Sequence, residues 1–182
     1  MKLSIGKILI SEPFSLDPNF QRTIILLTEH DENGSIGFVV NKPMKIEVSD
    51  AVPDFPKFKA ELFYGGPVQP NTLHFIHKLG GLVEGSIEVL DGIFWGGNFE
   101  TVKILVEKKQ VKASDFMFFI GYSGWSPGQL ENEMENKAWL LAEGTKKYLF
   151  SKKQENLWGN VLQDIGSEYA VIAKFPETPS LN

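Results

Sequence analysis

The chain of 182 residues contains no cysteine. That absence excludes a disulfide framework, a thiol nucleophile, and zinc or iron–sulfur sites held by cysteine. Histidine is scarce too, since the chain has only His30, His74 and His77. His74 and His77 lie three positions apart on a predicted strand, so their side chains point to opposite faces and do not form a metal site. The sequence therefore predicts no metal ion, and it carries no nucleotide-binding or other cofactor motif.

Long apolar runs and an excess of basic residues are also missing. Apolar stretches such as residues 24–27 are far shorter than the ~20 residues that span a bilayer. Lys and Arg total 18 against 23 Asp and Glu, which gives a net charge of −5. That balance disfavours binding to DNA or to an anionic membrane, and no helix-turn-helix or other nucleic-acid signature is present. We expect a cytoplasmic protein that binds neither a membrane nor, directly, nucleic acid.

The length predicts one domain over residues 1–182, with ordinary globular composition. The first two-thirds read as strands joined by tight turns, with the strongest hairpin signals at Asn33-Gly34 and Asp91-Gly92. Helical patterns come later, after Pro127 and after a capping box that begins at Ser151. This order favours an α+β fold with a mainly antiparallel sheet, because a doubly wound parallel sheet would alternate strand and helix.

Three of the predicted strands bear on the site. Residues 22–30 form a strand that is apolar on both faces over 24–27, which is typical of a central strand covered on both sides. Residues 36–41 form the returning strand, which ends before Pro43. Residues 116–121 form a very apolar strand that leads into an unusual glycine-rich segment.

That segment, Gly121–Glu131, is the strongest candidate for a site. Part of it has a structural explanation: Ser126 and Gln129 have the spacing of a capping box, and Trp125 and Leu130 have the spacing of a hydrophobic staple. The glycines of the segment and its tyrosine have no role in such a cap. Glycine permits the close approach of another group to the backbone, and that group is either a ligand or another strand. Both interpretations stay open at this point.

A nucleophile elbow is the obvious enzymatic interpretation of this segment. The required pattern is G-x-S-x-G after a strand, and Ser123 would be the nucleophile. Trp125 occupies the position of the last glycine, and no histidine follows Ser123 in the chain. The sequence therefore does not support Ser123 as the nucleophile of a hydrolase.

Arg22 is a second residue with two interpretations. A guanidinium at the end of a buried strand needs a partner, and Asp17, across the turn at residues 17–19, is the natural candidate. Alternatively, Arg22 anchors an anionic ligand.

Taken together, these segments resemble the YqgE/AlgH family of bacterial proteins over about residues 5–175. Each motif is weak alone, and their order makes the resemblance specific. The motifs are Gly6-Lys7-Ile8-Leu9-Ile10-Ser11, Asp17-Pro18-Asn19-Phe20-Gln21-Arg22-Thr23, Leu27-Thr28-Glu29-His30, Gly37-Phe38-Val39-Val40-Asn41-Lys42-Pro43, Tyr64-Gly65-Gly66-Pro67-Val68, and Gly121-Tyr122-Ser123-Gly124-Trp125 followed by Gly128-Gln129-Leu130-Glu131.

The resemblance implies an α+β fold in which a bent, branching, mainly antiparallel sheet forms a pseudo-barrel with helices packed outside. It implies no established biochemical activity. One branch of the family carries a name that links it to transcriptional control of alginate production. Family members commonly carry Ala or Ser at the position of Ser123, which is a further argument against that residue as a nucleophile.

Two hypotheses follow for function. The first is a non-enzymatic cytoplasmic binding or regulatory protein whose motif loops meet on one surface to hold a protein or small-molecule partner. The second is an enzyme that acts on an anionic or acyl small molecule through polar residues of the same loops. The candidate binding residues are Asp17, Asn19, Arg22, His30, Asn41, Tyr64, Gly65, Gly66, Pro67, Tyr122, Ser123, Gly124, Trp125, Gln129 and Glu131.

Overall fold

A bent and branched β-sheet organises the molecule in a computed structural model that describes residues 1–15, 17–150, 156–166 and 169. In chain order the strands are β1 (Lys7–Ser11), β2 (Ile24–Asp31), β3 (Gly34–Val39), β4 (Pro43–Glu47), β5 (Glu61–Tyr64), β6 (Val68–His77), β7 (Ile87–Leu90), β8 (Ile93–Trp95), β9 (Phe116–Trp125) and β10 (Trp139–Glu143). The helices are α1 (Val48–Ala51), α2 (Phe99–Glu107), α3 (Gln129–Glu135), α4 (Lys146–Leu149) and α5 (Leu157–Ile165). Short 3₁₀ turns lie at Gly80–Leu82 and Ala113–Asp115.

Strand β9 is the branch point of the sheet. The main path runs β10-β1-β2-β3-β9-β6-β8-β7, and the β4–β5 pair joins from the side. The first half of β9 pairs in parallel with β5 over residues 118–120, and its end pairs with β3 over residues 123–125. Gly121, with a φ of 67°, lies between the two zones, where the strand changes partner. Among the described strands, every pairing except that of β5 with β9 is antiparallel, so the predicted α+β class and mainly antiparallel, branching sheet are confirmed.

The two ends of the sheet approach each other without joining. A side chain at Gly6, just before β1, would overlap the carbonyl oxygen of Val89 in β7. Between the described residues no strand ladder connects β7 to β1 or β10, so the sheet curls toward a barrel and does not close. The enclosed core includes Phe38 and Phe119, whose rings stack with centroids 5.0 Å apart.

Strand β2 lies between two cores, as its apolar run predicts. Ile24 and Leu26 face the barrel-like interior, whereas Ile25 and Leu27 face an outer cluster under α3. All four side chains are fully buried. At roughly 25 cal/mol per Å² of apolar surface, complete burial of each contributes about 1.5–3 kcal/mol before the cost of ordering the chain. Strand β2 therefore separates the two cores and contributes side chains to both.

Two predicted boundaries at the end of β9 are wrong. The sequence predicts that this strand ends at Gly121, but it continues to Trp125 because residues 123–125 find a partner in β3. The following helix begins at Gln129, and Gly128, with a φ of 74°, takes the capping position predicted for Ser126. Half of the predicted capping box is present, since the Ser126 N–H donates to the Gln129 side-chain oxygen at 3.0 Å.

Other boundaries shift by a few residues. The sequence predicts that Pro43 ends a strand, but Pro43 is the first residue of β4, a strand that was not predicted. A proline is tolerated at the first position of a strand, where its missing N–H costs little. In the first hairpin, Gly34 pairs with Asp31, so the tight turn lies one residue earlier than predicted. The predicted cap at Ser151 lies outside the described residues. No helix in the described part of the chain combines the length and the apolar character needed to cross a bilayer.

Candidate binding cleft

Four of the predicted motif segments line one cleft of about 300 Å³. They are the end of β1 at Ser11, the turn at Asp17, the loop at Pro67, and the end of β9 with the start of α3. We call this the motif cleft. Its lining residues are Ser11, Ser15, Asp17, Phe20, Pro67, Gly124, Trp125, Gln129, Glu133, Ala138 and Trp139. The sheet brings these segments together, because β9 pairs with β3 on one side and with β6, which follows Pro67, on the other.

Hydrogen bonds from two other motif segments hold the Asp17 turn in place. The Asp17 carboxylate accepts the Asn19 N–H at 2.8 Å, as in an Asx turn. The Tyr64 hydroxyl then donates to the Asn19 side-chain oxygen at 3.1 Å, and Lys42 Nζ donates to the Asn19 carbonyl at 2.9 Å. Partial burial, together with the negative charge of Asp17, raises the pKa of Tyr64, so its hydroxyl stays protonated and able to donate.

The sequence predicts Arg22 on a strand, but the residue lies in the turn before β2. Its φ of 51° is in the left-handed region, which removes it from the face shared by Ile24 and Leu26. The side chain of Asn41 explains this turn, since its amide donates to the Arg22 carbonyl at 2.9 Å and accepts the Ile24 N–H at 2.8 Å. The Arg22 guanidinium lies 5.0 Å from the ring centroid of Trp158. This position favours packing against α5 over a role in the motif cleft.

Gly65, Gly66 and Ser123 are buried structural residues under the cleft. Ser123 is fully buried inside β9, and its hydroxyl donates to the Gly65 carbonyl at 3.2 Å. Gly66 approaches the backbone of Tyr122 and Ser123 so closely that a side chain there would overlap it. In the Gly121–Glu131 segment, where the sequence left two explanations open, a side chain at Gly121 would overlap the carbonyl oxygen of Gly66, so the close approach there is that of another part of the chain. A side chain at Gly128 would meet nothing within 4 Å.

A single carboxylate organises the aromatic wall of the cleft. Glu133 Oε2 accepts the indole N–H groups of Trp125 and Trp139, each at 2.8 Å. Glu133 Oε1 accepts the side-chain amide of Gln129 at 2.9 Å. The two indoles meet edge to face with centroids 6.0 Å apart, and Phe20 packs on Trp139 at 5.4 Å. Because buried indoles need an acceptor, this arrangement fixes the wall before any ligand arrives.

A second, larger depression lies on the other side of Gly124. It has a volume of about 610 Å³ and shares Gly124 and Trp125 with the motif cleft. We call it the hairpin groove, because most of the rest of its lining comes from the β2–β3 hairpin. The lining residues are Glu29, Asp31, Asn33, Gly34, Ser35, Ile36, Val68, Tyr122, Gly124, Trp125, Ser126 and Pro127. Tyr122 therefore lies in the hairpin groove and not in the motif cleft.

His30 and Glu131 meet beside that groove. Ser35 Oγ lies 2.9 Å from His30 Nδ1, and Glu131 Oε1 lies 3.8 Å from His30 Nε2. A serine, a histidine and a carboxylate in this order have the composition of a hydrolytic triad. Ser35 is only 5% exposed, which restricts access of a substrate to its hydroxyl.

The other two histidines are part of the packing. His74 contacts Phe38 and Tyr122, whereas His77 contacts Phe94 and Phe116, so the predicted opposite orientation is confirmed. Burial lowers the pKa of both side chains. Across the described residues, no three His, Asp or Glu side chains cluster in a way that could hold a metal ion.

Sequence reasoning missed Phe20, Glu133 and Trp139 as cleft residues. One signal was available for Glu133: it lies four residues after Gln129 on the predicted helix, and helical neighbours at that spacing share a face. A second signal was the pair of tryptophans near an acidic helix, since each buried indole N–H requires an acceptor. Nothing in the local spacing indicated Phe20, because its contact with Trp139 joins distant parts of the chain.

Comparison with known proteins agrees with the motif resemblance. The AlgH-like family profile matches residues 8–170. A UPF0301 protein of Chlorobaculum tepidum is 42% identical over 180 residues, covering 99% of this chain and 96% of that protein. A UPF0301 protein of Cytophaga hutchinsonii is 37% identical over 181 residues, with coverage of 99% and 100%.

Solved structures share the fold. The AlgH protein of Pseudomonas aeruginosa, determined in solution, superposes with a TM-score of 0.74 at 26% identity, over 98% of this chain and 100% of that one. A crystal structure of a Corynebacterium diphtheriae protein superposes with a TM-score of 0.79 at 20% identity, over 96% and 94% of the two chains. The names of these proteins state no activity, so function must be argued from the site.

Proposed function

Because the chain belongs to the AlgH-like family, we propose that its shared motifs build a ligand site, and that the protein is a non-enzymatic cytoplasmic binding protein of a regulatory kind. One observation carries the proposal: the Asp17 turn, the Pro67 loop and the Gly124–Gln129 segment, distant in sequence, line the same cleft. Among the described residues of that lining there is no histidine to activate a nucleophile. The described lining of the cleft therefore lacks the histidine-activated nucleophile of the common hydrolases, and its apolar and carboxylate surface is suited to holding a group.

The rigidity of the cleft supports the same conclusion. The Glu133 carboxylate holds both indoles, and the Tyr64 hydroxyl holds the Asp17 turn, so the walls are ordered without a ligand. Binding to a preformed site avoids the entropy cost of ordering side chains, which is about 0.5–1.5 kcal/mol for each flexible side chain. The ordered walls therefore support a role of the motif cleft in binding.

Capture from lysate of the source cells, with two phenylalanine variants, tests the proposal. Phe20→Ala removes one wall of the cleft, and Phe14→Ala is the matched control, because Phe14 lies on the same segment, is 65% exposed and does not line the cleft. We expect a co-purifying protein or small molecule that wild type and Phe14→Ala retain and Phe20→Ala loses. Circular dichroism confirms that each variant is folded. Equal retention by all three folded proteins would contradict the proposal.

A second candidate, hydrolysis of an acyl compound, is favoured by the Ser35–His30–Glu131 geometry. This candidate predicts turnover of simple esters that disappears in both Ser35→Ala and His30→Ala. An anionic substrate fits less well, because the two depressions are lined by carboxylates and, among the described residues, by no Lys or Arg. No turnover across a panel of esters at several pH values would eliminate this candidate.

A further inference from the structure

The charge of Glu133 is not matched by any cation in the described part of the chain. Its carboxylate is partly buried and accepts three hydrogen bonds, all from neutral donors: two indoles and one amide. None of the ion pairs between described residues involves Glu133. A partly buried carboxylate is more stable next to a positive charge, because burial removes the water that would otherwise solvate it.

The carboxylate also keeps capacity for one more donor. Each carboxylate oxygen has two lone pairs. Oε2 uses both on the indoles, whereas Oε1 accepts only the Gln129 amide. Glu133 lines the motif cleft, so a donor that enters the cleft comes close to this carboxylate, which has capacity for it.

The rest of the lining fits the side chain of a lysine or arginine. Such a side chain has an apolar stem and a cationic head. Phe20 and Pro67 offer apolar surface for the stem, and Asp17 supplies a second negative charge near the mouth. Aromatic walls add attraction for a cation, because the face of an aromatic ring carries negative charge density.

We propose that the motif cleft binds one lysine or arginine side chain of a partner protein, with Glu133 as the principal counter-charge and Asp17 as a second one. This proposal rests on the proposed function and names the chemistry of the ligand. A protein segment fits better than a free amine because the hairpin groove continues beyond Gly124 with two further carboxylates, Glu29 and Asp31. Neighbouring basic residues of an extended segment can occupy that groove.

Peptide titration followed by NMR tests this directly. The chain has four tryptophans, of which Trp125 and Trp139 line the cleft and Trp95 and Trp158 do not, so the indole N–H signals contain their own controls. The probes are blocked Gly-Arg-Gly and Gly-Lys-Gly peptides, with norleucine and glutamate peptides as neutral and acidic controls. Free agmatine distinguishes a small guanidine from a peptide, and an Arg-Gly-Arg peptide tests the groove.

The basic peptides should shift the Trp125 and Trp139 signals in a saturable way, and the controls should not. Arg-Gly-Arg should bind more tightly than agmatine, and this gain should disappear in Asp31→Asn. Asp17→Asn, which keeps the oxygen that accepts the Asn19 N–H, should weaken binding about threefold, as expected for an exposed charge pair. Asp91→Asn, the same change at a fully exposed site away from the cleft, should leave affinity unchanged. Binding should weaken as salt is added.

Three results would overturn the inference: no shift at millimolar basic peptide, equal shifts with the norleucine peptide, or agmatine binding as tightly as Arg-Gly-Arg. These results are separable from failure of the proposed function. If the peptides fail while capture still distinguishes Phe20→Ala from Phe14→Ala, the cleft binds a ligand of other chemistry. If both experiments fail, the proposed function fails with the inference.

Discussion

Trp125 and Trp139 donate their indole N–H groups to the same oxygen of Glu133, each over 2.8 Å. Trp125 is the last residue of β9, and Trp139 is the first residue of β10. Helix α3 carries the carboxylate and so connects two strands that do not pair with each other in the sheet. Both indoles are about 95% buried, at 6% and 5% exposure. The wall of the motif cleft and the stability of this corner therefore depend on the same carboxylate.

Replacing Glu133 by alanine should destabilise the protein substantially. The substitution leaves two buried indole N–H donors without their acceptor, and each unsatisfied donor costs about 1–3 kcal/mol. We expect urea denaturation to show a loss of about 2–4 kcal/mol in the free energy of unfolding. Glu135→Ala, in the same helix and exposed, is the control and should change stability by less than about 0.5 kcal/mol. Similar losses in both variants would show that the shared acceptor is not what stabilises this corner.

Ser123→Ala should be mild and should leave any ligand binding intact. The hydroxyl donates to the Gly65 carbonyl, and that carbonyl keeps a second hydrogen bond from the Val39 N–H at 2.9 Å. Losing one such bond costs about 0.5–1.5 kcal/mol. Thermal unfolding measures the cost, and the capture experiment measures binding. Loss of a captured ligand in a stable Ser123→Ala protein would show that this buried residue does more than support the loop.

Strand and hairpin positions were largely predictable from sequence because they depend on local pattern. The apolar run at Ile24–Leu27 requires cover on both faces, and Asp91-Gly92 joins β7 to β8. The end of β9 was not predictable in this way. Residues 123–125 remain a strand only because β3 lies beside them, and that neighbour is far away in the sequence.

The candidate site shows the same division. The sequence marks the motif residues as unusual, but spacing could not separate those that face the cleft, such as Asp17 and Gln129, from buried ones, such as Ser123 and Asn41. Both groups depend on a particular residue type. Residues of the first group line the cleft, whereas those of the second form hydrogen bonds with the backbone. Only the three-dimensional pairing of strands distinguishes them.

Lowering the pH should weaken the fold through His77. This side chain is fully buried, with Nε2 donating to the Gly96 carbonyl at 3.1 Å and Nδ1 accepting the Leu79 N–H at 3.2 Å, which is the neutral form. Burial lowers its pKa from the ordinary value of 6.5, although the bond to Gly96 acts in the opposite direction. Below pH 6.5, His77 therefore binds a proton more readily in the unfolded chain than in the folded one. The free energy of unfolding keeps its full value above pH 6.5 and decreases as the pH falls below it.

The slope of this loss is about 1.4 kcal/mol per pH unit for each such histidine, between 6.5 and the lowered pKa. Urea denaturation at several pH values measures it, and His77→Gln should reduce it. His74, whose pKa burial also lowers, accounts for a further part of the slope. NMR titration of the histidine C2 protons assigns each contribution. A His77 signal that titrates at or above pH 6.5 would contradict the neutral buried state.

Gly66→Ala should be the most disruptive of the single-methyl changes near the motif cleft. Gly66 has a φ of 150°, which residues with side chains rarely adopt, and an added methyl group would overlap the backbone of Tyr122 and Ser123. Overpacking typically costs about 1–3 kcal/mol, and we expect the upper end of that range here because the overlapped atoms belong to the backbone. Gly81→Ala is the matched control, because its added methyl group meets nothing within 4 Å. We expect the melting temperature to fall sharply for Gly66→Ala and to stay within a few degrees of wild type for Gly81→Ala. Equal melting temperatures would mean that the loop carrying Pro67 can move away from β9, and the cleft would then not be the preformed site that binding requires.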